Sequence, residues 1–198
     1  MRSFKLAAFV FASVLVVSIA ASATTIDFTA VAPGTAITNQ YAGVVFSLQG
    51  GPDSSGPPTI GGFFCSTCGL ANSTNGGAGI SSYPTATILD MAFTTPVYNV
   101  SFTFNNWGSG TGSFYSSFAG VTPVSSGSVD TVENFGLVTV PGSGITDLQL
   151  NNNSGGNYDW VFGVGQLTYT PVPEPGSLLL LGSGILGMAG VIRRKFQA

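Results

Sequence analysis

Between Thr24 and Pro171 the chain holds seven carboxylates, Asp27, Asp53, Asp90, Asp130, Glu133, Asp147 and Asp159, and no Lys, Arg or His, a charge of −7 over 148 residues. The five basic residues, Arg2, Lys5, Arg193, Arg194 and Lys195, all lie in the terminal segments. Carboxylates without cationic neighbours suit two kinds of chemistry. A hard cation such as calcium takes six to eight oxygens from carboxylates, carbonyls and amides. A pair of carboxyls at a set separation can hydrolyse a glycosidic bond. Other chemistries are excluded. Nucleic-acid binding needs cations against phosphates, a Ser-His-Asp or Cys-His arrangement needs a His, and Schiff-base chemistry needs a Lys.

The oxygen-rich loop "NNNSGGNYD", Asn151 to Asp159, makes Asp27 and Asp159 the candidate calcium ligands, since they lie in or beside the first and last predicted strands. No EF-hand or RTX spacing accompanies them. No other cofactor is expected. Among the remaining acids no spacing selects a catalytic pair, and Asp90 and Asp147 read as outward residues of alternating strands, so the expectation is a non-catalytic protein. Aromatic rings flanked by amides and hydroxyls can carry the apolar face of a sugar. Trp107 in "NNWGSG", Tyr115 in "GSFYSSF", and Tyr158 and Trp160 around Asp159 are the candidates, with burial as core or rim aromatics the alternative. Cys65 and Cys68 in "FFCSTCGL" predict a small-loop disulfide in an exported protein. Two further soft ligands for zinc are missing, and so is the helix N-terminus that a redox pair would want.

The elements that position these residues read as strands. In "VYNVSFTF" Tyr98, Val100, Phe102 and Phe104 alternate with Asn99, Ser101 and Thr103, the period of a half-buried strand. "ILDMAF" and "TDLQL" show the same period. Further strands are expected over Thr25–Thr29, Gly43–Leu48, Gly112–Phe118, Val129–Glu133, Leu137–Val140 and Asp159–Tyr169. Turn signals separate them, among them Thr95-Pro96, Pro141-Gly142 and Gly155-Gly156. No stretch carries a convincing helical repeat. The expected fold is all-β, an antiparallel β-sandwich of jelly-roll-like type, with a β-helix as the alternative that lacks its repeat period. Gly50 to Ser82, rich in Gly, Ser, Pro and Asn, reads as a long excursion clipped by the disulfide.

The ends differ from the body. Arg2 and Lys5, the apolar run Leu6 to Ile19 and Ala21-Ser22-Ala23 have the three parts of a signal peptide, residues 1–23, whose cleavage leaves the sandwich domain, 24–171. Residues 172–198 form a third segment. Its uncharged run, 177–192, would be about 24 Å long as a helix against a hydrocarbon core of about 30 Å. Arg193, Arg194 and Lys195 follow as a cytoplasmic stop, and spaced glycines suit close helix packing in lipid.

The motif Val172-Pro173-Glu174-Pro175, a Gly- and Leu-rich transmembrane helix and an Arg-rich end, in that order, resemble the PEP-CTERM sorting signal. The resemblance implies export by the Sec machinery with removal of the leader by signal peptidase. It further implies a transient stay in the inner membrane, processing near the motif by an exosortase-type membrane protease, and delivery to the outer surface or extracellular matrix of a Gram-negative bacterium that makes exopolysaccharide. The body opening "IDFTAVAPGTAITNQYAGVVF" is similar to that of many PEP-CTERM proteins, through Asp27-Phe28, Gly34-Thr35, Gln40-Tyr41 and Gly43-Val44-Val45-Phe46. In many of them the last strand carries an acidic pair, where this chain has Gly165-Gln166. The function expected from all this is a surface or matrix protein associated with exopolysaccharide or biofilm. A specific carbohydrate-binding module is the alternative, and a polysaccharide hydrolase a more remote one.

Overall fold

The computed structural model describes residues 21–51, 54–61, 69–74, 88–106, 113–129, 136–152 and 162–173, with 182, 184 and 185 in the tail. By internal contacts the chain divides into a body, Ser22–Val172, and a second unit composed of Met1–Ala21 and Pro173–Ala198. Positions 182, 184 and 185 of the second unit are helical. Among the described residues no helix is long and apolar enough to cross a membrane. Residues 1–20 of the expected signal peptide, and the expected tail helix apart from those three positions, lie outside the described residues.

The described body is built of strands: β1 Thr24–Asp27, β2 Val44–Gln49, β3 Leu70–Ala71, β4 Ile88–Asn106, β5 Ser113–Ala119, β6 Thr122–Ser128, β7 Gly136–Asn152 and β8 Phe162–Pro171. A period of two is plainest in β2 and β5. In β2, Val44, Phe46 and Leu48 are buried while Val45 and Gln49 face solvent, which a pleated strand with one covered face requires. All pairings are antiparallel. β4 and β7 run side by side for most of their length and carry two sheet halves. In one half β2 flanks Ile88–Phe93 of β4, and β5 then β6 continue beyond Asp147–Asn151 of β7. In the other, β8 flanks Val97–Asn106 of β4, with β1 and β3 along the far edge of β8.

The join between the halves corrects the sequence reading. Thr95-Pro96 and Pro141-Gly142, expected to end strands, instead bend them. The β4–β7 register is irregular between Ala92 and Val100, the stretch that holds Pro96 and the positive-φ residue Asn99. Pro has no N–H to give a ladder and is tolerated at such bulges. "ILDMAF" and "VYNVSFTF" are therefore two halves of β4, and "TDLQL" and Leu137–Val140 two halves of β7. This order agrees with the all-β antiparallel, sandwich-like expectation and does not by itself carry the jelly-roll-like detail.

The core forms between the inward faces. Phe46, Leu89, Met91, Leu148 and Leu150 come from the first half, and Val100, Phe102, Phe104, Val140, Phe162 and Val164 from the second. Phe28, in a single 3-10 turn after β1, meets Phe46 edge-to-face at 5.5 Å and Tyr41 at 5.8 Å. Each such pair is worth about 0.5–1.5 kcal/mol beyond burial. The excursion from Gly50 is also part of the core. Ile60, Leu70, Ala71 and Asn72 are almost fully enclosed, β3 pairs with β8, and Asn72 Oδ1 accepts the Phe162 N–H at 3.1 Å. A Gly- and Pro-rich composition hides such anchors, because only a few apolar side chains are needed to seat a long segment. β6 lies where no strand is expected, since its residues Thr122–Ser128 show no apolar alternation and are mostly exposed. Val129, the start of the strand expected to Glu133, is buried just beyond β6. Asp130 and Glu133 lie outside the described residues.

Candidate functional site

Asp27 closes β1 and caps the 3-10 turn that follows. Its Oδ1 accepts the Thr29 N–H at 3.0 Å and the Thr29 Oγ1–H at 2.6 Å. Gln166 stands directly opposite Asp27 in the β1–β8 register, and its Nε2 donates to Asp27 Oδ2 at 3.3 Å. The Thr29 hydroxyl, assisted by the Thr29 N–H and Gln166, outweighs the cost of burial and holds the Asp27 carboxyl below its usual value. Gln166 sits at a bulge: Phe102 pairs with Leu167 and Phe104 with Val164, so β8 carries one residue more. Its own N–H goes to Thr103 Oγ1 at 2.8 Å.

In the described part of the expected calcium site both Asp27 oxygens accept from neutral donors, Oδ1 from Thr29 and Oδ2 from Gln166. Among the described residues no group of three His, Cys, Asp or Glu is placed to hold a metal ion. β1 and β8 are neighbours, as the reading of Asp27 with Asp159 required, but Asp159 itself lies outside the described residues. So do Trp107, Tyr158, Trp160, Cys65 and Cys68. Tyr115 is described and is 6% exposed. It packs edge-to-face on Phe102 at 6.2 Å, which makes it a core ring and not a sugar platform.

A second pair of acids was not expected to meet. On the outward face of the first half, Val45, Ala92, Asp147 and Phe118 form one cross-strand row, and Ser47, Asp90, Gln149 and Ser116 the next. Asp90 and Asp147 are thus diagonal neighbours on adjacent strands, within reach of each other. Asp90 is only 5% exposed. One oxygen of each carboxyl, Asp90 Oδ1 and Asp147 Oδ1, is enclosed and has no hydrogen-bond donor, while Asp90 Oδ2 accepts from Ser47 Oγ at 3.3 Å. Removal from water, then the adjacent carboxyl of Asp90, push Asp147 up to about 6, against an opposing hydrogen bond from Gln149. Alternation puts both residues outward, but only the register makes them neighbours.

The body ends where the sorting segment begins. β8 closes at Pro171, and the Val172 N–H donates to the Pro96 carbonyl at 2.8 Å, at the bend of β4. Val172 and Pro173 are exposed, and Glu174, Pro175, Arg193, Arg194 and Lys195 lie outside the described residues. The family model of the PEP-CTERM protein-sorting motif matches residues 171–195. The chain carries a PEP-CTERM sorting signal. The matched segment takes in the Val172-Pro173-Glu174-Pro175 motif and the basic stop Arg193-Arg194-Lys195, and it points to recognition by an exosortase and sorting to the cell surface. No curated protein and no solved structure matches the chain. The PEP-CTERM segment starts with no spacer, since its first matched residue is the last residue of β8.

Proposed function

We propose that this is a non-catalytic surface protein whose β-sheet body works by association within exopolysaccharide or biofilm matrix after its PEP-CTERM tail has been processed. The sorting signal fused directly to the last strand is the observation that carries this reading. Residues 1–23 act as the Sec signal peptide, 177–192 hold the protein in the inner membrane, and an exosortase-type protease releases it near Val172–Pro175. Cys65 and Cys68 form a disulfide once the body reaches an oxidising compartment. The body offers hydroxyl and amide groups, such as Thr25, Gln49, Ser126 and Gln166, and no basic side chain. It therefore engages glycan hydroxyls by hydrogen bonding and does not attract polyanions by charge.

The test is binding of the exported, processed protein to its producer's own exopolysaccharide, with and without a calcium chelator. Saturable binding that survives chelation is expected, since Asp27 is already satisfied by protein donors. Absence of binding in both conditions overturns the exopolysaccharide role and leaves the sorting assignment standing.

A further inference from the structure

We propose that Asp90 and Asp147 hold a single proton between their carboxyl groups, and that loss of this proton loosens the half of the sheet formed by β2, β4, β7 and β5. Each carboxyl presents one enclosed oxygen without a donor. Two neighbouring acceptors cannot satisfy each other, because an ionised carboxylate has no hydrogen to give. One proton converts the pair into donor and acceptor, and two ionised carboxylates in contact repel.

Among the described residues the surroundings provide no other remedy. The cross-strand rows bring Val45, Ser47 and Gln49 from β2, Ile88 and Ala92 from β4, Gln149 and Asn151 from β7, and Phe114, Ser116 and Phe118 from β5. None of these is charged or titratable near neutral pH, and residues 24–171 contain no Lys, Arg or His. A cation fits less well than a proton. Ser47 occupies one oxygen of Asp90 and Gln149 hydrogen-bonds to Asp147, so the pair offers two free oxygens where a hard cation wants six to eight. The upward displacement of Asp147 agrees with the geometry. Its sign follows from linkage: the folded form keeps the proton that the unfolded chain releases near pH 4, so this stabilisation is complete below about pH 4 and is lost as pH rises through about 6.

The experiment is thermal unfolding of the full chain in detergent micelles from pH 4 to pH 8, for the wild type, Asp147→Asn and Asp90→Asn. An amide at either position supplies a permanent donor to the other carboxyl. The folding equilibrium constant of the wild type relative to Asp147→Asn should fall about tenfold over this range, the full effect of a two-unit displacement being reduced because Asp147 is part-exposed. A ratio that does not change with pH overturns the proposal. So does a saturable calcium stabilisation of the wild type at pH 8 that Asp147→Asn lacks. Should the variants fail to fold, carboxyl ¹³C titration of the wild-type chain replaces them. One aspartate titrating near 6 supports the shared proton, and all aspartates titrating below about 4.5 contradict it.

Discussion

Asp27 and Asp147 are the same residue type in a body without cations, yet their surroundings displace them in opposite directions. Asp27 accepts hydrogen bonds from Thr29 and Gln166 that favour its charged form, whereas Asp147 loses water and meets Asp90. The sign of the stability change differs accordingly. A depressed carboxyl contributes above its unfolded value near 4, and that contribution disappears as pH falls through the lower folded value. Asp27→Ala should therefore cost about 0.5–1 kcal/mol at pH 7, the lower part of the range for a capping carboxylate, and progressively less as pH falls below the unfolded value near 4 and through the lowered folded one. Urea unfolding at pH 7 and through the acid range measures it. A cost that persists in acid would assign the effect to lost packing and not to the charged hydrogen bonds.

At the scale of elements, the body depends on two strands long enough to serve both sheet halves, and on a short strand seated by a glycine. Gly69 precedes β3 with φ +78°, and a Cβ there would lie 2.2 Å from the Val164 carbonyl oxygen of β8. That atom is backbone, so β3 must move away. Gly69→Ala should cost about 2–3 kcal/mol from left-handed strain and the lost approach together. It should also raise hydrogen exchange at Leu70 and Ala71 selectively. Uniform destabilisation with no local increase in exchange would show that β3 is not seated independently. The bends at Pro96 and Pro141-Gly142 illustrate why such elements resist reading from sequence. The same residues end a strand when water can satisfy the freed backbone, and bend one when packing on both sides holds the chain in place.

At the scale of the molecule, the PEP-CTERM segment follows the body in the chain without a spacer, its first matched residue, Pro171, being the last of β8. Truncation after Pro171 in producing cells should leave the body folded but abolish its surface delivery, with the truncated protein recovered from the periplasm by fractionation. The intact chain should appear at the surface with a mass reduced by removal of the tail. Surface delivery of the truncated chain would mean that the body carries its own address. These outcomes concern sorting alone and are independent of any glycan the body engages.

The sequence by itself determined the all-β class, the strand phases and the sorting signal, because these depend on period-two alternation and on a contiguous motif of defined order. Val44, Phe46 and Leu48 face inward because a pleat alternates, and Val172-Pro173-Glu174-Pro175 is legible because its meaning lies in adjacent residues. Only the tertiary structure decided which strand lies beside which. Turn chemistry could not show that Pro96 and Pro141 bend strands, nor composition that Ile60 and Leu70 anchor the long excursion. The Asp90–Asp147 pair is the clearest case. Alternation places each of them outward, and 57 positions separate them in the chain. Their meeting depends on a register set by Leu89, Met91, Leu148 and Leu150 seeking the core on the opposite face. Burial of those apolar neighbours outweighs the repulsion between two carboxyls that one proton can relieve.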